Sequence, residues 1–255
     1  MDVADDGLFC PEVGRWTEEK HSLVSLYAKL FSTGMKDKWE ERVYIELYAG
    51  AGHSKLRGSS RRIGGSPLRA LLLEHPFDKY IFCEEGAVEM EALKVRVSTA
   101  APTARVAFIP GDCNLRTDEI LGEIPAHRPG HRVLSLCFVD PYDIGIEFQT
   151  LRKLSQRYVD FLILLALGMD ANRNYERYLK DDADKVDKFL GSGDWRGRWA
   201  AAQWDAIKFT TFLADEFTRS MATLGYIPPA HYTMKEVRSY ERNFTVVSDS
   251  LVLPT

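Results

Sequence analysis

Clustered cysteine is the first thing missing from this chain. Only four cysteines occur in 255 residues, Cys10, Cys83, Cys113 and Cys137, and no two form a C-x-x-C pair. Zinc ribbons and iron–sulfur sites need grouped thiolates, so both are excluded, and four reduced thiols in a reducing cytoplasm are expected. The six histidines are scattered; the one His-x-x-x-His spacing, His127 to His131, encloses Pro129 and Gly130, which break the helix that such a pair needs, and no Gly-x-Ser-x-Gly elbow is present. Metal-dependent and triad hydrolysis therefore have no support, and no metal site is expected. The longest apolar run, Phe161 to Leu167, is far too short to span a bilayer. Neither sign of charge dominates: 33 basic against 37 acidic residues leave a net charge of −4, which gives no global attraction to nucleic acid or to an anionic membrane. Any such contact must be local. The start Met1-Asp-Val-Ala-Asp-Asp has no basic region followed by an apolar core, so no signal peptide is expected.

What is present reads as an α/β protein. The length suits one large domain over 1–255 with a substantial core, carrying an N-terminal helical extension over about 1–38 and a helical insert over about 168–198. Thr17 is placed to cap a helix whose first turn holds Glu18 and Glu19, where the helix dipole favours acids, with Leu23, Val24, Tyr27, Leu30 and Phe31 on one face. Five apolar runs read as strands: 43–48, Tyr80–Cys83, Val106–Ile109, Val133–Val139 and Tyr158–Leu165. A polar stretch rich in Gly, Arg and Ser follows the first, from His53 to Gly65, and Ser66-Pro67 then reads as a cap and first-turn proline. A helical stretch runs to about Thr99. Near-continuous apolar strands separated by helical patterns predict a parallel sheet covered on both faces. After the fifth strand, a charged segment through Trp195 reads as either a lid or a solvated excursion. Trp204 to Leu224 returns to a helix whose apolar residues belong in the core, Gly225 ends it, and His231–Thr245 with Val246–Val252 predict two closing strands.

Four of the five strand runs end in acids or glycines, where a parallel sheet holds its ligands. Tyr44-Ile-Glu-Leu-Tyr-Ala-Gly-Ala-Gly52 runs from strand into glycines that permit a sharp turn and close approach to a ligand. Lys55 stands where a dehydrogenase loop needs its third glycine, and no Gly-Lys-Ser/Thr phosphate loop occurs. The remaining pattern, acid, apolar, aromatic, small, Gly-x-Gly, is that of an S-adenosylmethionine (SAM) loop, although an ordinary tight βα turn has the same outline. Tyr48 lies within that loop. Glu84 ends the second strand, and its two carboxylate oxygens suit the two hydroxyls of a ribose; Glu85 beside it is the alternative. Asp112, in Gly111-Asp-Cys-Asn114, suits an adenine amine or equally a helix cap, and Cys113 falls in the same cofactor set. Asp140-Pro141-Tyr142 ends the fourth strand. An Asp-Pro-aromatic element can hold an exocyclic amine and stack on its base, aiming the nitrogen lone pair; it also begins ordinary turns. Lys55, Arg57, Arg61 and Arg62 form the one concentrated basic stretch, and with Arg173 they are candidates for phosphate contact or for simple solvation.

Several segments together resemble the three-Cys-motif partner protein (TcmP) family: Trp16-Thr-Glu-Glu-Lys20, Tyr44-Ile-Glu-Leu-Tyr-Ala-Gly50, Gly65-Ser-Pro67, Phe82-Cys-Glu84, Gly111-Asp112, Phe138-Val-Asp-Pro-Tyr142, Asn172-Arg173 and Phe189-Leu-Gly191 before Trp195. The resemblance implies a Rossmann-like class I methyltransferase fold, a mostly parallel seven-stranded sheet with helices on both faces and a C-terminal antiparallel pair. It also implies a radical-SAM-like partner that carries the three cysteines. Glu46 stands where the family usually has Asp, Ala51 where Pro is frequent, and Tyr142-Asp143 where Phe-Gly is usual, which adds a charge beside the acceptor element. The expected activity is SAM-dependent methylation of an exocyclic amine on a nucleobase or nucleotide-like substrate, with SAM as cofactor. The alternatives are a catalytically silent partner of the radical-SAM protein and a nucleic-acid-processing subunit that uses the basic stretch without SAM.

Overall fold

The structure is a computed structural model that describes residues 1–167, 174–180, 182–202, 208–227, 235–239 and 242–251. The chain forms two compact units: the first is Met1–Phe138 with Arg157–Val159, the second Val139–Gln156 with Asp160–Thr255.

The first unit is built on parallel strands β3 (Glu41–Glu46), β6 (Lys79–Glu84), β7 (Val106–Pro110) and β8 (Val133–Val139), hydrogen-bonded in the order β8-β3-β6-β7. The chain moves outward from β3 to β6 and β7, then returns past β3 to β8. That reversal is the topological switch of a Rossmann-like doubly wound sheet. Beside β8, the Ser135 N–H donates to the Tyr158 carbonyl at 2.8 Å, which brings in the start of strand β9 (Val159–Leu165). The crossovers carry helices α2 (Ser66–Leu71), α3 (Ala87–Ala100) and α4 (Thr117–Glu123), as parallel connections usually do. One sheet face is aromatic: Phe82, fully buried, has ring centroids of Tyr80, Phe108 and Tyr44 at 5.9, 6.2 and 6.4 Å. Aliphatic residues and thiols such as Val43, Ile45, Ile81, Cys83 and Cys137 alternate with them, all at 0% exposure, which is why these strands read as unbroken apolar runs.

The sequence pattern placed β8 correctly and the other parallel strands within two residues. The first strand, expected over 43–48, starts two residues earlier and ends at Glu46, because Glu41 and Arg42 are buried with partners and so continue the sheet. Arg42 donates to Asp78, the Ser32 carbonyl and hydroxyl, and the Pro76 carbonyl, while Glu41 accepts from Arg105 and His131.

Helix α1 (Trp16–Met35) also differs from expectation. Its N-cap is Arg15, and Thr17 is a buried residue inside the first turn, not the cap. The buried face is Lys20, His21, Val24, Ala28, Phe31 and Ser32, with Lys20 over the Trp16 ring and the Ser32 hydroxyl donating to the His75 carbonyl, while Leu30 of the expected apolar stripe is 64% exposed.

The stretch from His53 to Gly65 is not an irregular loop. It forms strands β4 (His53–Leu56) and β5 (Arg62–Gly64), an antiparallel pair joined by β1 (Asp2–Val3) and β2 (Glu12–Val13) into a four-stranded sheet of order β1-β5-β4-β2. Its Leu56 and Ile63 are buried, and ion pairs line it: Arg61 binds Asp2 and Glu18, Arg62 binds Asp5, and Lys55 binds Glu12 at 2.8 Å.

In the second unit, helix α5 (Phe148–Leu154) follows β8, and β9 pairs antiparallel with β12 (Arg242–Leu251), which also pairs with β10 (Tyr226–Ile227) and β11 (Lys235–Ser239). Ser239 is in register with Arg242, so the first closing strand extends to Ser239 and the second already includes Arg242, whereas the division was expected at Thr245/Val246. Short helices Tyr175–Tyr178, Lys185–Leu190 and Trp195–Ala202 bury Tyr178, Val186, Phe189, Leu190, Trp195 and Trp199, so this charged segment supplies core and is not a solvated excursion. The next helix spans Phe209–Thr223, and its Phe217 stacks on Phe189 at 4.8 Å; Trp204 lies outside the described residues.

Truncation of Phe82 to alanine removes the centre of the aromatic row. It is expected to lower unfolding free energy by about 3–5 kcal/mol in urea denaturation.

Candidate functional site

The carboxyl end of β3 is where the first unit becomes polar. Leaving the sheet, the Leu47 N–H donates to the Phe138 carbonyl of β8 at 3.1 Å, and two residues on the Ala49 N–H donates to the Cys83 carbonyl of β6 at 2.9 Å. The chain thus turns out between β8 and β6, the two strands that flank β3. Gly50 and Gly52 both have left-handed backbone, at φ +63° and +81°. A Cβ on Gly50 would meet nothing within 4 Å, so open space lies before the loop there. On Gly52 it would come within 3.0 Å of Leu93 on α3. Glycine is required at the first by backbone alone and at the second also by packing.

Glu84, the last residue of β6, organises the neighbouring loops. Its Oε2 accepts the Gly50 N–H at 2.7 Å, its Oε1 accepts the Gly86 N–H at 2.8 Å, and its backbone carbonyl accepts the Gly111 N–H at 2.9 Å. Glu85 is exposed. Asp112 makes an Asx turn, with Oδ1 accepting the Asn114 N–H at 2.9 Å, and its carbonyl accepts from Leu115 and Arg116. Cys113 is 2% exposed; burial pushes its thiol up to about 12, against a hydrogen bond from Tyr48. Glu46, at 1% exposure, accepts hydroxyl hydrogen bonds from Tyr44 at 3.2 Å and from Ser66. Ser66 is therefore not the helix cap that its position beside Pro67 suggested. Gly65 occupies the cap, its N–H donating to the Gly52 carbonyl at 2.7 Å, while the Ser66 hydroxyl is spent on Glu46.

The expected cofactor residues thus fall into one hydrogen-bond-linked group. Glu84 joins Gly50 to Gly111-Asp112, Tyr48 joins Cys113, and Gly65-Ser66 joins Gly52 to Glu46. Lys55 and Arg57 do not join it. Lys55 is held by Glu12 in the small sheet, and Arg57 is exposed where β4 gives way to the hairpin turn. Arg173 lies outside the described residues. In the second unit, Asp140 follows β8 directly and is half-buried, Pro141 is buried and Tyr142 is 84% exposed. The extra charge at Asp143 is matched by Lys185 Nζ at 2.5 Å.

Arg96, which reaches this loop, and its partner Asp6 went unread in the sequence. Arg96, on α3 and only 4% exposed, donates Nη1 to the Ala51 carbonyl at 2.6 Å and to the Phe9 carbonyl at 2.8 Å, while Nε and Nη2 grip the Asp6 carboxylate at 2.7 and 2.8 Å. Nη2 also reaches the Leu8 carbonyl at 3.4 Å. The signal was available: Arg96 stands on the apolar stripe Met90, Leu93 and Val97, where a charge needs a partner. The Arg96 guanidinium holds the Asp6 carboxyl far below the usual carboxylate range, with a smaller opposing effect of burial.

No protein-family model matches the chain, and no curated protein does. Among solved structures it is similar to TYW2 of M. jannaschii in complex with AdoMet, with 10% identity over 92% of this chain and 75% of that one and a TM-score of 0.45. It is also similar to the O-methyltransferase TomG from Streptomyces achromogenes in complex with SAM, with 13% identity over 91% and 80% and a TM-score of 0.47. A putative O-methyltransferase from Klebsiella pneumoniae is similar with 16% identity over 92% and 88% and a TM-score of 0.42.

Placing alanine at Gly52 is expected to cost about 1–2 kcal/mol from left-handed backbone alone, read by urea denaturation. Because the folded-state Asp6 carboxyl is depressed, its stabilisation is complete above the unfolded value of about 3.9 and is lost as pH falls below it. Stability of Asp6→Asn should therefore decline less steeply than wild type on acidification from about pH 5.

Proposed function

We propose that this protein is a SAM-dependent methyltransferase. The observation that carries the reading is the Glu84 carboxylate folded back onto the Gly50 N–H, at the switch point of the parallel sheet and beside open space that a side chain at Gly50 would fill. Those features suit a nucleoside cofactor. Each Glu84 oxygen holds one backbone N–H and keeps a lone pair for a ribose hydroxyl. In this reading Glu46, Gly50 and Gly52 receive the methionine end. Asp112, with Oδ1 already committed to Asn114, offers its other oxygen to the adenine amine, and Tyr48 and Cys113 close the pocket around the base.

SAM, when bound, would supply a methyl on a sulfonium sulfur: the S–C electron pair stays on sulfur as a thioether, a neutral nitrogen forms N–C, and that nitrogen then releases a proton to water. For the acceptor, we propose an exocyclic amine of a nucleobase or nucleotide-like molecule. Asp140 accepts the amine hydrogens and leaves the lone pair directed outward, Pro141 fixes the backbone, and Tyr142 stacks on the base. Acceleration comes mostly from such positioning. Lys55, Arg57 and Arg173 are the cations proposed for substrate phosphates. Of these Arg57 is favoured over Lys55, whose ammonium is already matched by Glu12. The four unpaired thiols suit a reducing compartment, so a cytoplasmic setting is part of the proposal. So is kinship with TcmP proteins, with a radical-SAM-like partner, on the segments that resemble that family.

Calorimetry with SAM tests the assignment: wild type should bind, and Glu84→Ala should bind about tenfold or more weakly, as loss of a charge-assisted hydrogen bond predicts. No binding by the intact protein would sink it. Asp140→Ala should retain cofactor affinity and lose about a hundredfold in methyl transfer to nucleobase amines. Full cofactor binding with no transfer by wild type, together with co-purification of a radical-SAM protein, would favour the silent-partner alternative.

A further inference from the structure

The five N–H donors of Arg96 all have acceptors, and they belong to two different pieces of chain. Four of the five hydrogen bonds, two to Asp6 and one each to Leu8 and Phe9, reach the N-terminal segment 87 to 90 residues away, and the fifth goes to the Ala51 carbonyl, which stands between the two left-handed glycines of the proposed cofactor loop. The segment is itself tied down along its length. The Gly64 N–H donates to the Met1 carbonyl, the Lys55 N–H to the Pro11 carbonyl and the Arg57 N–H to the Val13 carbonyl, and Arg62 pairs with Asp5. Packing follows the same line, since a Cβ on Gly52 would touch Arg96 Cδ at 3.4 Å.

We infer that residues 1–13 act as a strap that sets the conformation of the cofactor loop, with Asp6 and Arg96 as its positioning residues. An unpaired guanidinium at 4% exposure would be too costly, so Arg96 can hold the Ala51 carbonyl only while Asp6 neutralises it. The peptide joining Ala51 to Gly52 is thereby fixed from behind, by groups that need never touch a ligand. Loop order, and with it affinity for the cofactor, depends on a carboxylate 45 residues upstream in sequence. The affinity part rests on the methyltransferase reading; the ordering of the loop does not.

The test compares wild type, Asp6→Asn, Asp6→Glu and Arg96→Lys in amide hydrogen exchange and in calorimetry with S-adenosylhomocysteine. In Asp6→Asn and Arg96→Lys, the Gly50 and Gly65 amides should exchange about tenfold or more faster while β8 amides keep their protection, and affinity should fall about tenfold. Asp6→Glu should restore both, which loss of general stability would not explain. Folded Asp6→Asn and Arg96→Lys proteins with wild-type exchange at Gly50 and Gly65 would overturn the inference, as would faster exchange spread equally over β3, β6 and β8. If wild type does not bind the nucleoside, the methyltransferase reading fails and the exchange data still decide whether the strap orders the loop.

Discussion

One carboxylate holds the polar end of the first unit together. Glu84 takes a backbone N–H on each of its oxygens and a third on its own carbonyl, from the segments that follow β3, β6 and β7. Loops at the end of a parallel sheet have no ladder partners of their own, and buried N–H groups left unpaired are costly. A single charged acceptor at the end of a central strand relieves that cost for neighbouring segments. The loop shapes are therefore consequences of where β6 stops.

That economy works because the rest of the sheet is rigid. The aromatic face of Tyr44, Tyr80 and Phe82 and the aliphatic opposite face leave β3 and β6 no freedom to slip, since a one-residue shift would exchange the two sets of side chains. Buried charges at the other end obey the same rule as Glu84: Arg42 and Glu41 are inside only because Asp78, Arg105 and His131 meet them. Ion pairs mark where the first unit changes from apolar to polar chemistry.

The sequence made the parallel strands and their glycines legible because both are local signals, an unbroken apolar run and a glycine pair at its end. Val133–Val139 was readable to the residue, and Glu84 could be singled out by its place at a strand end. The partners were not readable. Glu84 finds Gly50 at a separation of 34 residues, Arg96 finds Ala51 at 45 and Asp6 at 90, distances over which composition carries no register. The β4–β5 hairpin was missed for a related reason: its strands are short and mostly polar, and the strands that pair with them, β1 and β2, lie on the N-terminal segment. Ser66 misled because a hydroxyl beside a first-turn proline normally caps the helix, whereas here a buried carboxylate competed for it and won.

The boundary between the two units has a consequence for how the protein is made. The chain leaves the first unit after Phe138, returns for Arg157–Val159, and departs again at Asp160. During synthesis the first unit therefore remains incomplete until Val159 has emerged, with the Ser135 N–H waiting for the Tyr158 carbonyl. Stretches of both units must be on hand before either closes. No single cut releases the first unit free of the second, and a fragment ending at Phe138 would lack Tyr158 beside β8 and leave that edge of the sheet open.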